Sequence, residues 1–318
     1  MFSLQHSDQS GKGIDLKQAK LHFSSEAEIQ NYVDACEAEY HAEVQAACAT
    51  AAAGGSIITL SGPTCSGKTT TARILDDAFL RLGKELHTIS IDDFYFDRDE
   101  LQRRAKERGE PLDYDSPSTI DLVLFGKVIE QIEARGRVLV PRFDFQSGKR
   151  DGFVEFSSDA DDIFLFEGIQ AVYPELTRYL AAHSFTSLFI SVEESLDCGG
   201  VVFEPRELRF MRRLVRDART RGASAEFTYS LWGGVTANED MHIYPNLGGV
   251  HCRIDSTLGY EVSVLKPYVL ALLDTIASDS LYFAGADALR QKLKHIPTID
   301  EKYVPDGSVF REFIGEKE

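Results

Sequence analysis

One run of small residues, Gly62-Pro63-Thr64-Cys65-Ser66-Gly67-Lys68-Thr69, fits the pattern G-x-x-x-x-G-K-[ST] in full and is followed by a second threonine, Thr70. Residues of these types in this order suit the holding of a polyphosphate. The glycines let the backbone curl so that successive N–H groups point inward at phosphate oxygens. A helix starting near Lys68 adds its positive end to the same anion. Lys68 brings a cation to the β- and γ-phosphates, and the Thr69 hydroxyl brings a ligand for Mg²⁺. An ordinary glycine-rich strand-to-helix turn is the alternative. The apolar strand before the run and the helical stretch after it favour the phosphate loop.

Phosphoryl transfer also needs carboxylates, and in parallel α/β sheets ligands gather beyond the carboxyl ends of the strands. Two such ends carry acids. Asp92-Asp93 follow an apolar stretch ending at Ile91, and Glu167 follows Ile163-Phe164-Leu165-Phe166 and precedes Gly168. Glu167 takes the position of a Walker-B-like acid, which holds Mg²⁺ directly or through water. Asp92 is placed to accept a proton from an acceptor hydroxyl. The aspartate pair also suits a helix cap or turn, and Glu167 also suits a solvated strand end. Tyr95, directly after these acids, fits the wall of an acceptor pocket or the core equally well.

Seven arginines stand between Arg206 and Arg221, against the overall charge of the chain. Arg209, Arg212, Arg213 and Arg216 share one helical face. That face suits triphosphate oxygens, and the glycine at 222 suits a hinge, so a lid over about 207–222 is expected. A solvated face paired with acids such as Glu207 and Asp217 is the alternative.

These groups need a scaffold. Short apolar strands are expected at Ile57–Leu60, His87–Ile91, Val138–Val140, Ile163–Phe166 and Ser187–Val192, with Pro141 ending the third. Helices are expected over Lys68–Leu82 and Ile120–Ala134, each closed by a glycine. The alternation predicts an α/β fold of the P-loop NTPase type, a parallel sheet with helices on both faces. Residues 142–156 read as an inserted hairpin around Gly148 and Gly152. Upstream, Ser25–Ala53 reads as a helix with Val33, Cys36, Tyr40, Val44 and Ala47 on one stripe. The expected organisation is an N-terminal helical extension over 1–53 and a P-loop domain over 54–318.

The balance of 34 Lys+Arg against 51 Asp+Glu leaves a net charge of −17. That argues against a dedicated nucleic-acid or anionic-membrane surface. No apolar run reaches the roughly 18 residues of a membrane span, and the first twenty residues lack the apolar core of a secretory signal. The five cysteines, Cys36, Cys48, Cys65, Cys198 and Cys252, are scattered and contain no C-x-x-C. They read as reduced thiols of a cytoplasmic protein. A nucleotide and a small-molecule acceptor are the expected partners, and a homo-oligomer is compatible with the sequence.

Together these segments resemble the uridine kinase/phosphoribulokinase family of P-loop kinases, and look most like its bacterial-type uridine-kinase-related branch. The matching segments are GPTCSGKTT (62–70), TISIDDFYFDRDE (88–100), LDYDSPSTIDL (112–122), PRFDFQSGKR (141–150), FLFEGIQAVYPEL (164–176), MRRLVRDARTRG with ASAEFTYSLWGGV (211–235), YEVSVLKPY (260–268) and VFREFIGE (309–316). The resemblance implies ATP and Mg²⁺ as cofactors. It makes Asp92 the base toward the acceptor hydroxyl and a neighbour of Mg²⁺, with Thr69 and Glu167 at the metal. Asp115 would grip ribose hydroxyls. Arg213, Arg216 and Arg221 would contact phosphates. Phe143 and the residues after it would form the hairpin that faces the nucleobase. Two departures concern specificity. Where uridine-cytidine kinases carry an aromatic hydroxyl and a histidine in that hairpin, this sequence has Phe143 and Gly148, and Ala223 stands where an arginine follows the glycine.

The expected activity is ATP-dependent phosphorylation of a primary hydroxyl, with the 5′-hydroxyl of a uridine-like nucleoside favoured. Lys68 and Arg216 would stabilise the transferring group and Asp92 would act on the acceptor. The alternatives are a kinase of another sugar or small polyol and a catalytically inactive, nucleotide-binding regulator. A guanine-type GTPase is disfavoured because no N-K-x-D occurs.

Overall fold

The apolar runs form the middle of one sheet. In the computed structural model the described residues are 16–109, 114 and 116–316. The strands in chain order are β1 Leu16–Gln18, β2 Ile57–Ser61, β3 Leu86–Ser90, β4 Gly136–Asp144, β5 Lys149–Ser158, β6 Ile163–Glu167, β7 Phe185–Ser191, β8 Ser195–Asp197, β9 Val202–Phe203 and β10 Cys252–Asp255. The α-helices are α1 Glu26–Ala52, α2 Lys68–Arg81, α3 Arg98–Arg108, α4 Leu122–Ala134, α5 Pro174–Leu180, α6 Pro205–Arg221, α7 Ala225–Asn238, α8 Glu261–Leu273, α9 Phe283–Leu293 and α10 Arg311–Ile314. Among the described residues β10, β7, β2, β6 and β3 lie side by side in that order, all parallel. Every residue of β2 is buried. A strand covered on both faces is largely apolar on both, which is why the sequence shows near-continuous apolar runs and no alternation. One core packs α1, α2, α6 and α8 on one face of the sheet, and a second packs α4 and α5 on the other. None of the described helices is long and apolar enough to cross a membrane.

Three expectations change. Val138–Val140 is not a strand of the main sheet. It belongs to an antiparallel ribbon of β4 and β5, in which Val138 and Val140 turn inward and Arg137 and Arg142 face solvent. Pro141 does not end this strand. It pairs with Phe153 just before a register shift between Pro141 and Phe143, the kind of irregular position where a missing N–H costs little.

The helical extension is no appendage. α1 starts at the N-cap Ser25, whose hydroxyl accepts from the Glu28 N–H at 3.2 Å. Its stripe Val33, Cys36, Tyr40, Val44 and Ala47 is buried in the same core as α2 and α8. The Tyr40 and Thr71 hydroxyls are hydrogen-bonded at 2.7 Å. Buried Glu37 accepts from Ser308 at 2.6 Å and also from Tyr260. The composition shift near residue 53 therefore falls inside one packed body.

The arginine-rich segment is a core helix, not a detached lid. Leu208 to Val215 are all buried along α6. Gly222, expected as a hinge, ends the helix in the left-handed conformation at φ 62°. Only the C-terminal half of α6 borders the cleft described next.

Candidate active site

The loop after β2 is shaped by backbone constraints. Cys65 and Gly67 have φ of 59° and 96°. A Cβ on Gly62 would stand 2.1 Å from the Ile190 carbonyl oxygen, and one on Gly67 would stand 2.3 Å from Val309 Cγ2. Both positions thus require glycine. α2 starts at Lys68, so its N-terminal amides face the space in front of the loop. The Lys68 ammonium donates to the carbonyls of Gly62 at 2.8 Å and Pro63 at 3.1 Å. Burial pushes it below the usual lysine range, and Glu167, Glu312 and Asp92 oppose that shift. The Ser66 hydroxyl is buried without a hydrogen-bond partner among the described residues. A curled loop with an orphaned donor, at a helix N-terminus, has the chemistry of a phosphate cradle.

A cleft of about 410 Å³ lies in front of this loop, with Thr64 to Thr69 along one side and Asp92 and Glu167 facing them. Glu167 is the last residue of β6 and sits in register between Leu60 of β2 and Ser90 of β3. Burial raises its carboxyl above the ordinary range. Lys68 opposes the shift, and Asp92 and Glu312 add to it. Asp92 lies in the short turn 91–94 that follows β3. Thr69, Asp92 and Glu167 border the same cleft, and a hydroxyl with two carboxylates offers hard oxygen donors of the kind that suits Mg²⁺.

A second cavity of about 240 Å³ is lined by Asp92, Tyr95, Arg98, Tyr114, Phe143 and Phe145. Asp92 and Tyr95 line both cavities. The β4–β5 ribbon is fastened over this pocket by backbone contacts to the turn before α3. Asp93 accepts from the Phe143 N–H at 2.9 Å, Asp97 from the Arg150 N–H at 2.9 Å, and the Gly148 carbonyl from the Arg98 N–H at 2.8 Å. Tyr95, Phe143 and Phe145 meet edge to face, the first two with centroids 5.7 Å apart. Asp115 lies outside the described residues.

The arginines of α6 divide by depth. Arg213, Arg216 and Arg221 line the phosphate cleft. All three pair with buried Asp217, at 3.1, 2.8 and 3.4 Å. Arg209 and Arg212, expected on the same phosphate-facing surface, are instead fully buried beneath the loop. Arg209 pairs with Glu239 at 2.7 Å and donates to the Thr64 carbonyl at 3.1 Å. Arg212 pairs with Glu261 at 2.7 Å and donates to the Cys65 carbonyl at 3.3 Å. The helix is wrapped by structure on several sides, so a shared stripe does not give its arginines a shared role.

Residues 57–259 match the Phosphoribulokinase / Uridine kinase family. The chain belongs to the phosphoribulokinase/uridine kinase family. Among individual members, it is 26% identical over 194 residues to a uridine kinase of Ureaplasma parvum serovar 3, covering 60% of this chain and 83% of that one. It is 28% identical over 171 residues to uridine-cytidine kinase B of Dictyostelium discoideum, covering 54% and 61%. A solved phosphoribulokinase from Rhodobacter spheroides aligns with a TM-score of 0.44 and 14% identity over 75% of this chain and 97% of that one.

Two polar groups at the site of this phosphoribulokinase/uridine kinase family member escape sequence reasoning. Gln170 is fully buried behind Asp92. Its amide donates to Asp92 Oδ1 at 3.0 Å and to the Tyr95 hydroxyl at 2.9 Å, and Tyr95 in turn donates to the Tyr114 carbonyl at 3.0 Å. The carboxylate can only accept, so it fixes which way the amide points. Glu312, on α10, borders the phosphate cleft and accepts from the Thr70 hydroxyl at 3.4 Å. The one available signal for Gln170 is a lone amide in the apolar run after Glu167. For Glu312 there is none, because it arrives from the far end of the chain.

Proposed function

We propose that this protein transfers the γ-phosphoryl group of ATP to a primary hydroxyl of a small molecule, with the 5′-hydroxyl of a uridine-like nucleoside as the favoured acceptor. The observation that carries the reading is the position of Asp92, whose carboxylate borders both the phosphate cleft and the aromatic pocket. A hydroxyl in the pocket gives its proton to Asp92 while its oxygen attacks the γ-phosphorus. The bond to the β-phosphate oxygen breaks, and ADP leaves. Lys68 and the cleft arginines 213, 216 and 221 neutralise charge on the transferring oxygens. Thr69, Asp92 and Glu167 would hold Mg²⁺, which supplies charge neutralisation at the β- and γ-phosphates. The family and the relatives named uridine kinase support the nucleoside acceptor.

The direct test incubates the protein with γ-labelled ATP, Mg²⁺ and a panel of uridine, cytidine, ribose, ribose 5-phosphate, glycerol and glycerate, and identifies the labelled product. Uridine 5′-phosphate is expected. Label released only as inorganic phosphate, with no acceptor modified, would favour a non-catalytic nucleotide-binding role. A labelled sugar or polyol in place of uridine would redirect the acceptor.

Gln170 gives a separate prediction. Leucine in its place keeps the volume and removes both N–H donors to Asp92 and Tyr95. A hydrogen bond to a charged group is worth enough to lower turnover by about 10- to 100-fold. Nucleotide affinity should stay within about twofold, because the amide hydrogen bonds of Gln170 go to Asp92 and Tyr95 and not to the phosphate loop. In an Asp92→Asn background the same change should have little further effect. Full additivity of the two losses would show that Gln170 does not act through Asp92.

A further inference from the structure

Arg98, at the first turn of α3, is the cation of the acceptor pocket. Among the described residues its side chain makes one hydrogen bond, from Nη2 to the Phe145 carbonyl at 3.0 Å, and has no carboxylate partner. Its neighbours differ. Arg103 and Arg104 both pair with Glu100, Arg142 with Asp151, and Arg150 with Asp121. The chain has a net charge of −17, and among the described residues the other arginines that line the two cavities, Arg213, Arg216 and Arg221, all pair with Asp217. The ribbon makes room for it. Gly148 has φ of 69°, and a Cβ there would stand 2.7 Å from both Cζ and Nε of Arg98. Any side chain at 148 would displace the guanidinium from its present position, so the glycine and the arginine form one device.

The chemistry of that device is one-sided. A guanidinium carries five N–H donors and no acceptor, and here one donor is spent on Phe145. The remaining walls are Leu101 and the aromatic side chains of Tyr95, Tyr114, Phe143 and Phe145, with the carboxylate of Asp92 as the group of opposite charge. We propose that Arg98 reads the acceptor. It selects molecules that present a carbonyl oxygen at the end away from the reacting hydroxyl, as the uracil ring does, and it disfavours a ring with an exocyclic amine there, as in cytosine. A site that commits a donor to one substrate oxygen penalises the analogue that answers it with another donor. This rests on the assignment of the aromatic pocket to the acceptor and deepens it.

Two variants test the proposal by different routes. Arg98→Gln shortens the side chain and removes the charge. Gly148→Ala keeps Arg98 and pushes it aside. Both should raise the KM for uridine by about 10- to 100-fold, while the KM for ATP stays within about twofold. The wild-type preference for uridine over cytidine should shrink toward unity in both. Melting temperatures, measured in parallel, separate a lost contact from a lost fold. An unchanged uridine KM in Arg98→Gln, or a wild-type protein indifferent to uridine and cytidine, would overturn the proposal. If the wild type instead phosphorylates ribose 5-phosphate or glycerate, and Arg98→Gln loses that activity, the nucleoside acceptor fails while Arg98 keeps its role as reader of an oxygen group.

Discussion

Asp92→Asn should still bind ATP and Mg²⁺ but lose most of its transfer to an acceptor. Asparagine keeps the shape of the side chain and can still accept from the Gln170 amide that meets Asp92 at 3.0 Å. What it loses is the ability to take a proton. General-base assistance is typically worth 10²- to 10⁴-fold, so turnover should fall by about that factor. The phosphate loop, Lys68 and the arginines around Asp217 are untouched, so calorimetric titration with a non-hydrolysable ATP analogue should still show saturable binding. Turnover within about threefold of the parent would remove Asp92 from the chemistry. Loss of nucleotide binding together with turnover would assign Asp92 to the metal alone.

Arg212→Met should be costly in a different currency, that of the fold. Arg212 and Glu261 are both fully buried, and the guanidinium also reaches the Ser256 carbonyl at 2.6 Å and the Cys65 carbonyl at 3.3 Å. Removing one member of a buried pair leaves the other charge uncompensated, which costs about 3–5 kcal/mol. The melting temperature should drop by on the order of 10 °C. Arg216→Gln, one turn further along the same helix at the edge of the cleft, should lower it far less, because Asp217 keeps Arg213 and Arg221 as partners and is not left uncompensated. Equal stability losses in the two variants would contradict the division of α6 into an inner and an outer set of arginines.

The parts legible in the sequence are those whose physics is local. β2, β6 and β7 announce themselves because burial on both faces favours runs of apolar residues broken only by small hydroxyl side chains. The phosphate loop is legible because backbone curvature, helix start and cation are all set within nine residues. β10 is not, because in Cys252-Arg253-Ile254-Asp255 only Ile254 is buried, so an edge strand of four residues leaves no pattern. Val138–Val140 misleads because an apolar triplet looks the same in a ribbon packed on α4 as in a central strand. Arg209 and Arg212 mislead for a related reason. Helical periodicity reports which side chains share a face, but not whether solvent, phosphate or a buried glutamate lies opposite. Gln170 and Glu312 depend wholly on tertiary convergence, and no spacing rule reaches from residue 70 to residue 312.

That last convergence has a bearing on how the protein comes into being. Val309 rests on Gly67 and Glu312 meets Thr70, so the phosphate loop is walled by residues translated about 240 positions after it. A ribosome adding roughly 5–20 residues per second would leave the loop bare for about 10–50 s. During that interval the nascent chain has its glycines and its lysine but lacks the wall that confines them. The wall of the loop is thus completed only when residues 309 to 312 arrive, well after the residues of the neighbouring aromatic pocket have been made.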